Sequence, residues 1–464
     1  MLKTMNPHVF KTYDLRGVAE VDFPDGEVER LGRALGAYFL QRDHRRVIVG
    51  RDNRRHSLRL RNALTRGLVS TGCEVLDIGE VITPVFYFAH HLYGYKAGVM
   101  ITASHNPPED NGFKIFCGES TIYGEDIQRL KLILEQGDFP QGQGQVVYAS
   151  PQEEYIKYIT GRIHLERSLK VAVDAGNGTA GPVAVKLLEA LGCEVVPLYC
   201  DPDPSFPNHH PDPTVVENLR DLIRLVREAG ADVGLSFDGD GDRLGVVDEK
   251  GRVIWGDILQ VLFWREILPR FPGAPAIVEV KCSQALVDEI VRLGGKPFFY
   301  KTGHSLIKAK MREVGAPFTG EMSGHFFFAD EYFGFDDAPY AAARLLRILS
   351  RSGKPLSALL ADIPRLYSTP ETRIPCPEER KEEVVHEIIS SFRREGYDVI
   401  DVDGARIQFP SGWGLVRASN TQPVLVARCE AGSLADLQEI AGKLKNSLIC
   451  AGVKEFQWDF PMEE

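Results

Sequence analysis

The chain has 464 residues with a formal net charge of −11, 44% apolar residues and 26% charged ones. That is room for roughly three domains of about 150 residues, each with its own core, and the balance excludes a disordered, fibrous or polyanion-wrapping chain while allowing a local basic pocket. Its eight cysteines form no C-x-x-C pair, and neither an apolar signal segment nor a bilayer-length apolar run occurs, so the expectation is a cytoplasmic protein without disulfides and without membrane or nucleic acid as partner.

In chain order, the first clear unit is an apolar run from Val47 to Gly50, the polar stretch RDNRRHS, a helical span through Leu68 and Val69, and the apolar restart TGCEVLDIG. Strand, polar loop, helix, small residues and strand make a βαβ crossover unit. Thr102 to Lys114 then reads TASHNPPEDNGFK, with Ser104 directly beside His105. A hydroxyl next to an imidazole invites a nucleophile and base reading. No G-x-S-x-G elbow surrounds Ser104, however, and hydrolase triads assemble from distant segments. Read alone, the stretch is a polar loop closed by Asn106-Pro107-Pro108.

After the Gly/Gln-rich joint DFPQGQGQ, the crossover pattern repeats as VAVDAGNGTAG from Val171, the helical VAVKLLEALG, and CEVVPLY from Cys193. The strongest chemical signal follows in LSFDGDGDRLGVVD, where Asp238, Asp240 and Asp242 alternate with Gly239 and Gly241. Glycines let the backbone curl so that three carboxylates converge, and converging carboxylates repel one another unless a cation lies between them. An EF-hand loop would fit Glu249 at position twelve but requires glycine where Arg243 stands, and the flanks read as strands. An all-oxygen ligand set on a compact turn favours Mg2+. Arg243 beside it suits an anionic ligand such as a phosphoryl group, or else pairs with one of the aspartates.

Beyond a joint at Gly251 to Gly256, a third crossover unit runs through AIVEVKCSQAL from Ala276, VDEIVRLGG and KPFFYKTG. A last joint from Ile363 to Pro377 changes the character. An amphipathic helix in EERKEEVVHEIISSFRREG, strands in DVIDVDG, ARIQF, WGLVRAS and VLVARCEA, and a helix from Ser433 to Ile449 predict a smaller α+β module.

The segments YDLRG at Tyr13, TASHNPPEDNGFK, DGDGDR at Asp238, VKCS at Val280, KTGHSLIK at Lys301, GEMSGH at Gly320 and RASNTQP at Arg417, in this order, resemble the α-D-phosphohexomutase superfamily and within it the bacterial phosphomannomutase/phosphoglucomutase group. The resemblance spans nearly the whole chain. It implies three related α/β domains and a smaller C-terminal α+β domain around a central cleft, with expected boundaries 1–149, 150–253, 254–365 and 366–464. It also implies interconversion of hexose 1-phosphate and hexose 6-phosphate, of mannose and/or glucose, through a phosphoserine and a hexose 1,6-bisphosphate.

By the same resemblance Ser104 carries the phosphoryl group and, with Asp238, Asp240 and Asp242, holds Mg2+. Arg243 and Lys114 stabilise charge on the transferring group. Proton exchange falls to His325 or Arg16 with Lys114 assisting, and His105 lies beside them. Arg417, Ser419, Asn420 and Thr421 form the site of the nonreacting phosphate; Glu321 and Ser323 bind sugar hydroxyls; Tyr13, Lys281 and His304 are further ligand contacts. Gln422 stands where a second threonine is common in the family, and Met322 stands where phosphoglucosamine mutases usually carry glutamine. The expected partners are sugar phosphates, and the expected state is a monomer or weak homo-oligomer. The alternatives are a phosphoglucosamine mutase of the same superfamily, a serine phosphatase, which releases inorganic phosphate, and a noncatalytic metal-binding protein, which explains neither Ser104 nor Arg417.

Overall fold

The computed structural model describes residues 5–419 and 423–460. The chain divides into two compact units, Met1–Phe263 with Ser323–Leu359, and Trp264–Met322 with Leu360–Glu464.

The first unit contains two sheets. The first comprises β1 (Leu15–Val18), β2 (Arg46–Arg51), β3 (Glu74–Glu80), β4 (Ala97–Ile101), β5 (Asp110–Cys117), β6 (Ser120–Thr121) and β7 (Val146–Tyr148). Their order is β1-β5-β4-β2-β3-β7, with β6 beside β5. Strands β4, β2, β3 and β7 run parallel, whereas β5 is antiparallel to β4 and to β1. Helix Ser57–Ser70 makes the expected crossover from β2 to β3, burying Leu60, Ala63, Leu64 and Leu68 at helical spacing. Because β5 reverses direction, the segment between β4 and β5 lies at the carboxyl end of the parallel strands, where open α/β sheets offer their ligand sites. TASHNPPED occupies that segment.

The second sheet comprises β8 (Lys170–Asp174), β9 (Glu194–Leu198), β10 (Val233–Phe237), β11 (Leu244–Asp248) and β12 (Val253–Ile254), in the order β12-β11-β10-β8-β9. Strand β8 is parallel to β9 and β10, and β10 is antiparallel to β11. Every residue of β10 is buried, as expected of a strand covered on both faces. DGDGDR is thus the hairpin turn at the carboxyl end of β10.

In the second unit, β13 (Pro275–Glu279) and β14 (Lys296–Tyr300) pair in parallel. They are joined through helix Gln284–Arg292, whose N-cap Ser283 accepts a hydrogen bond from Ala285 N–H. Strand β15 (Phe318–Gly320) also belongs to this unit, whereas β16 (Phe326–Phe328) and helix Ala338–Ser352 belong to the first. The C-terminal strands are β17 (Tyr367–Ser368), β18 (Thr372–Pro375), β19 (Asp398–Ile400), β20 (Ala405–Phe409), β21 (Gly412–Ala418) and β22 (Val424–Ala431), joined in one antiparallel sheet. Helices Lys381–Arg394 and Leu434–Cys450 close its core through Val384, Ile388, Phe392, Leu437, Ile440 and Leu444. The fold is therefore the expected one: three α/β parts and a smaller α+β part.

Candidate active site

In the first unit the TASHNPPED loop is built around two hydroxyls. Thr102 Oγ1 accepts from Ser104 N–H at 2.9 Å and donates to Asp240 Oδ2 at 3.1 Å. Ser104 is buried and adopts a φ of 51°, a left-handed conformation that costs free energy in a residue other than glycine and is retained where surroundings enforce it. Its Oγ lies 2.6 Å from Asp238 Oδ2 and 3.0 Å from His105 Nδ1. The single hydroxyl proton goes to the closer carboxylate, so His105 Nδ1 faces an oxygen lone pair and carries the hydrogen. Burial, followed by the charges of Arg243 and Arg16, pushes the His105 imidazole well below its ordinary pKa. The serine hydroxyl thus lies between a carboxylate and an imidazole whose charged form is disfavoured.

The β10–β11 turn brings three fully buried aspartates together. Asp238 Oδ1 accepts from Asp242 N–H and Arg243 N–H, both at 3.0 Å. Asp240 Oδ2 accepts from the Thr83 hydroxyl at 2.6 Å, and Thr83 N–H donates to the Asp240 carbonyl at 2.8 Å. Gly239 is required by close approach, because a Cβ there would lie 2.3 Å from the Ser104 carbonyl oxygen. Gly241 supplies a φ of 75°. Gly239→Ala is accordingly expected to push the serine and aspartate loops apart, lowering activity at least tenfold and stability by about 1–3 kcal/mol. Parallel assays of activity and thermal unfolding check this.

Lys114 on β5 donates to Asp240 Oδ2 at 2.7 Å and to Asp242 Oδ2 at 2.5 Å. Burial disfavours its charge, but Asp240 and Asp242 outweigh that and raise its pKa well above the ordinary value. Conversely, burial and the charges of Asp242 and Asp240 drive Asp238 well above the usual carboxylate range. Asp240, also opposed by burial, is held low by Lys114. Among the described residues no hydrogen-bond donor reaches the buried Asp240 Oδ1 or Asp242 Oδ1. Oxygens from all three aspartates lie within 4.8 Å of one another. Lys114 answers two of the three carboxylates and Arg243 lies in electrostatic reach of Asp238, and the uncommitted oxygens fit a hard divalent cation.

Further cations and donors line the same loops. Arg243 Nε donates to His325 Nε2 at 3.0 Å, which puts the imidazole hydrogen on Nδ1, and that nitrogen faces Asp336 Oδ2 at 3.2 Å and Asp242 Oδ1 at 3.6 Å. A proton-bearing Nδ1 between two carboxylates accounts for this second group of possible metal ligands without an ion. Arg16 on β1 donates to Asn106 Oδ1 at 2.8 Å and to Asp14 Oδ2 at 2.7 Å, and Tyr13 lies in electrostatic reach of it. Ser323 is half-buried, next to Gly324 at φ 94°.

In the second unit, Lys281 Nζ lies 2.7 Å from Glu371 Oε1 and 3.8 Å from Glu279 Oε1. Glu279 accepts from the Thr302 hydroxyl at 2.6 Å, and Glu321 accepts from Gly303 N–H at 2.8 Å, next to the buried His304. Arg417 on β21 donates from Nε to Asp403 Oδ2 at 3.0 Å, and the same oxygen accepts from Thr302 N–H at 3.0 Å. Ser419 is held by its own N–H to the Val424 carbonyl at 3.0 Å, while its carbonyl accepts from Lys381 at 2.7 Å. Asn420 and Thr421 lie outside the described residues. Arg428 contacts the Met322 sulfur at 2.6 Å and the Lys281 carbonyl.

Family models of phosphoglucomutase/phosphomannomutase match four consecutive stretches: alpha/beta/alpha domain I over residues 7–141, domain II over 153–251, domain III over 255–367, and the C-terminal domain over 371–447. The chain belongs to the phosphoglucomutase/phosphomannomutase family. A phosphomannomutase/phosphoglucomutase of Pseudomonas aeruginosa is 45% identical over 445 residues, 96% of each chain. A phosphoglucomutase of Neisseria meningitidis is 44% identical over 441 residues, covering 94% of this chain and 96% of its own. A crystal structure of a phosphoglucomutase/phosphomannomutase family protein from Burkholderia thailandensis superposes with a TM-score of 0.92 at 42% identity, covering 99% of this chain and all of that one.

Within this phosphohexomutase several residues that hold these side chains, in either unit, carry no motif of their own. Thr83, Glu279, Glu371, Asp403 and Asp336 reach their places only through the fold. Thr102 alone had a visible signal, since it heads the serine motif itself.

Proposed function

We propose that the protein interconverts hexose 1-phosphate and hexose 6-phosphate of mannose and glucose through phosphorylated Ser104 and a hexose 1,6-bisphosphate. The observation that carries the reading is the 2.6 Å approach of Ser104 Oγ to Asp238, inside a triad of buried carboxylates whose oxygens are close enough to share a cation.

Asp238, Asp240 and Asp242 are the proposed Mg2+ ligands, and a phosphate on Ser104 would add a further oxygen. When bound, Mg2+ supplies neutralisation of the phosphoserine and polarises its phosphoryl oxygens. The remaining work belongs to side chains. Lys114, kept protonated, and Arg243 place positive charge where it grows on the transferring group, which is the main requirement of phosphoryl transfer. His325 or Arg16 is the proposed group for proton exchange with the sugar hydroxyl, with Lys114 assisting and His105 donating to the serine oxygen. Glu321 and Ser323 are proposed contacts of sugar hydroxyls, Tyr13, Lys281 and His304 further ligand contacts, and Arg417, Ser419, Asn420 and Thr421 the holders of the nonreacting phosphate.

If Arg417 serves that phosphate, Arg417→Lys is expected to raise KM about tenfold or more with a smaller effect on kcat, because an ammonium cannot replace a bidentate guanidinium. Steady-state kinetics on glucose 1-phosphate check this. The eight cysteines are all free, and no helix among the described residues is long and apolar enough to cross a membrane. The proposed setting is the cytoplasm, where the protein acts as a monomer or weak homo-oligomer.

Phosphorus NMR of enzyme, Mg2+ and mannose 1-phosphate with a trace of bisphosphate tests the reading. Appearance of the 6-phosphate sustains it; release of inorganic phosphate would make the protein a phosphatase. Turnover of glucosamine phosphate but of neither mannose nor glucose phosphate would overturn the sugar assignment.

A further inference from the structure

The polar stretch RDNRRHS, which bends from β2 into helix Ser57–Ser70, contains an arginine that the proposed chemistry does not use. Arg54 is buried, only 2% exposed, and its guanidinium gathers four backbone carbonyls of the serine loop. Nη2 donates to the Ser104 and Asn106 carbonyls at 2.8 and 2.6 Å, and Nη1 to those of Pro107 and Asp110 at 2.5 and 3.1 Å. Asp52 aims it, with Oδ2 at 3.3 Å from Nε and Oδ1 accepting from Arg54 N–H at 3.0 Å. The Phe206 ring, itself at a φ of 48°, lies 5.3 Å from the guanidinium carbon.

The loop closes on itself through two side chains, Thr102 Oγ1 accepting from Ser104 N–H at 2.9 Å and Asn106 Nδ2 donating to Asp110 Oδ2 at 2.8 Å, and through few backbone bonds. Its own backbone hydrogen bonds across the turn are Asn106 N–H to the Ala103 carbonyl at 2.9 Å and Asp110 N–H to the Pro107 carbonyl at 3.0 Å, and Pro107 and Pro108 have no N–H to give. Yet Ser104 must stay in a left-handed conformation that its Cβ disfavours. Buried carbonyls without donors are costly, so four of them converging on one planar five-donor group fix both the path of the chain and the direction of the serine hydroxyl.

We infer that Arg54 is a positioning residue for phosphoryl transfer: it touches no reacting atom and holds the Ser104 loop in the conformation that points Oγ at the carboxylate triad. The inference rests on the reading of Ser104 as the phosphoryl carrier.

Arg54→Lys keeps the charge but cannot span four carbonyls. It should lower kcat by about a hundredfold while KM changes less than about threefold, as expected of a misaimed reacting group. Amide hydrogen exchange should quicken at least about tenfold in residues 103–110 and stay unchanged in β2 and β4, since local opening is separate from global unfolding. Asp52→Asn, which leaves Arg54 in place but loosens its aim, should shift kcat and loop exchange in the same direction by a smaller factor, and it decides the matter if Arg54→Lys does not fold. Loop exchange unchanged in the folded variants, or kcat within threefold of the parent, would overturn the inference. A Ser104→Ala control separates the two claims: retained turnover there would remove the carrier reading, while the exchange data would still report on Arg54.

Discussion

Ser104→Ala is expected to leave a folded protein with kcat lower by about four orders of magnitude or more, because the covalent carrier is lost and the neighbouring hydroxyls of Thr102 and Thr83 are committed to Asp240. The substitution keeps Cβ and removes two hydrogen bonds, to Asp238 and with His105, so thermal unfolding should move by no more than about 1–3 kcal/mol equivalent. An alanine variant with activity within tenfold of the parent would remove Ser104 from the mechanism.

The second large effect concerns the carboxylate triad. Asp242→Asn keeps shape but removes one of three buried negative charges and weakens the hold on Lys114, which lies 2.5 Å from Asp242 Oδ2. Activity at fixed Mg2+ should fall by about a hundredfold or more, and the Mg2+ concentration for half-maximal activity should rise at least tenfold. Stability should respond with a characteristic sign. With chelator present, the variant is expected to melt at or above the parent, because repulsion with Asp238 and Asp240 is relieved. With Mg2+ added, the parent should gain more than the variant. Differential scanning fluorimetry with and without chelator reads both, and equal Mg2+ stabilisation of the two proteins would contradict the assignment of the triad as ligands.

The parts of this architecture that are legible in the sequence are those in which local chemistry and fold agree. Val47 to Gly50, Val171 to Asp174 and Ala276 to Glu279 read as strands because they are apolar runs bounded by polar loops, and each indeed starts a parallel βαβ unit. DGDGDR was legible because alternating glycines have no other ready purpose, and the strands on either side form the expected hairpin. The relation between Ser104 and Asp238 came from the family resemblance, since nothing local joins residues 134 positions apart.

Other features depend on tertiary placement and leave no local trace. Thr83 reads as the polar start of an apolar helix, Thr83–Tyr93; only the fold brings its hydroxyl and N–H to Asp240. Asp336 is one of two consecutive aspartates before a helix, and Asp337 takes the capping role, accepting from Tyr340 N–H at 2.8 Å. Asp336 Oδ2 lies 3.2 Å from His325 Nδ1. Arg54 looks like one charge among several in RDNRRHS, and its four carbonyl partners become visible only when the loop of Ser104 is seen lying over it. The adjacency of Ser104 and His105 was legible but misleading as a hydrolase signal, because the fold gives the serine proton to a carboxylate.

The most direct test of the central claim is to incubate the protein with glucose 1,6-bisphosphate and Mg2+, remove the small molecules, and map phosphate on the chain by mass spectrometry. The same sample is then chased with mannose 6-phosphate. The account predicts one phosphoryl group on the peptide Thr102 to Lys114, located at Ser104, which disappears on the chase into a hexose bisphosphate without release of inorganic phosphate. Phosphate on another residue, or label lost only as inorganic phosphate, would contradict it.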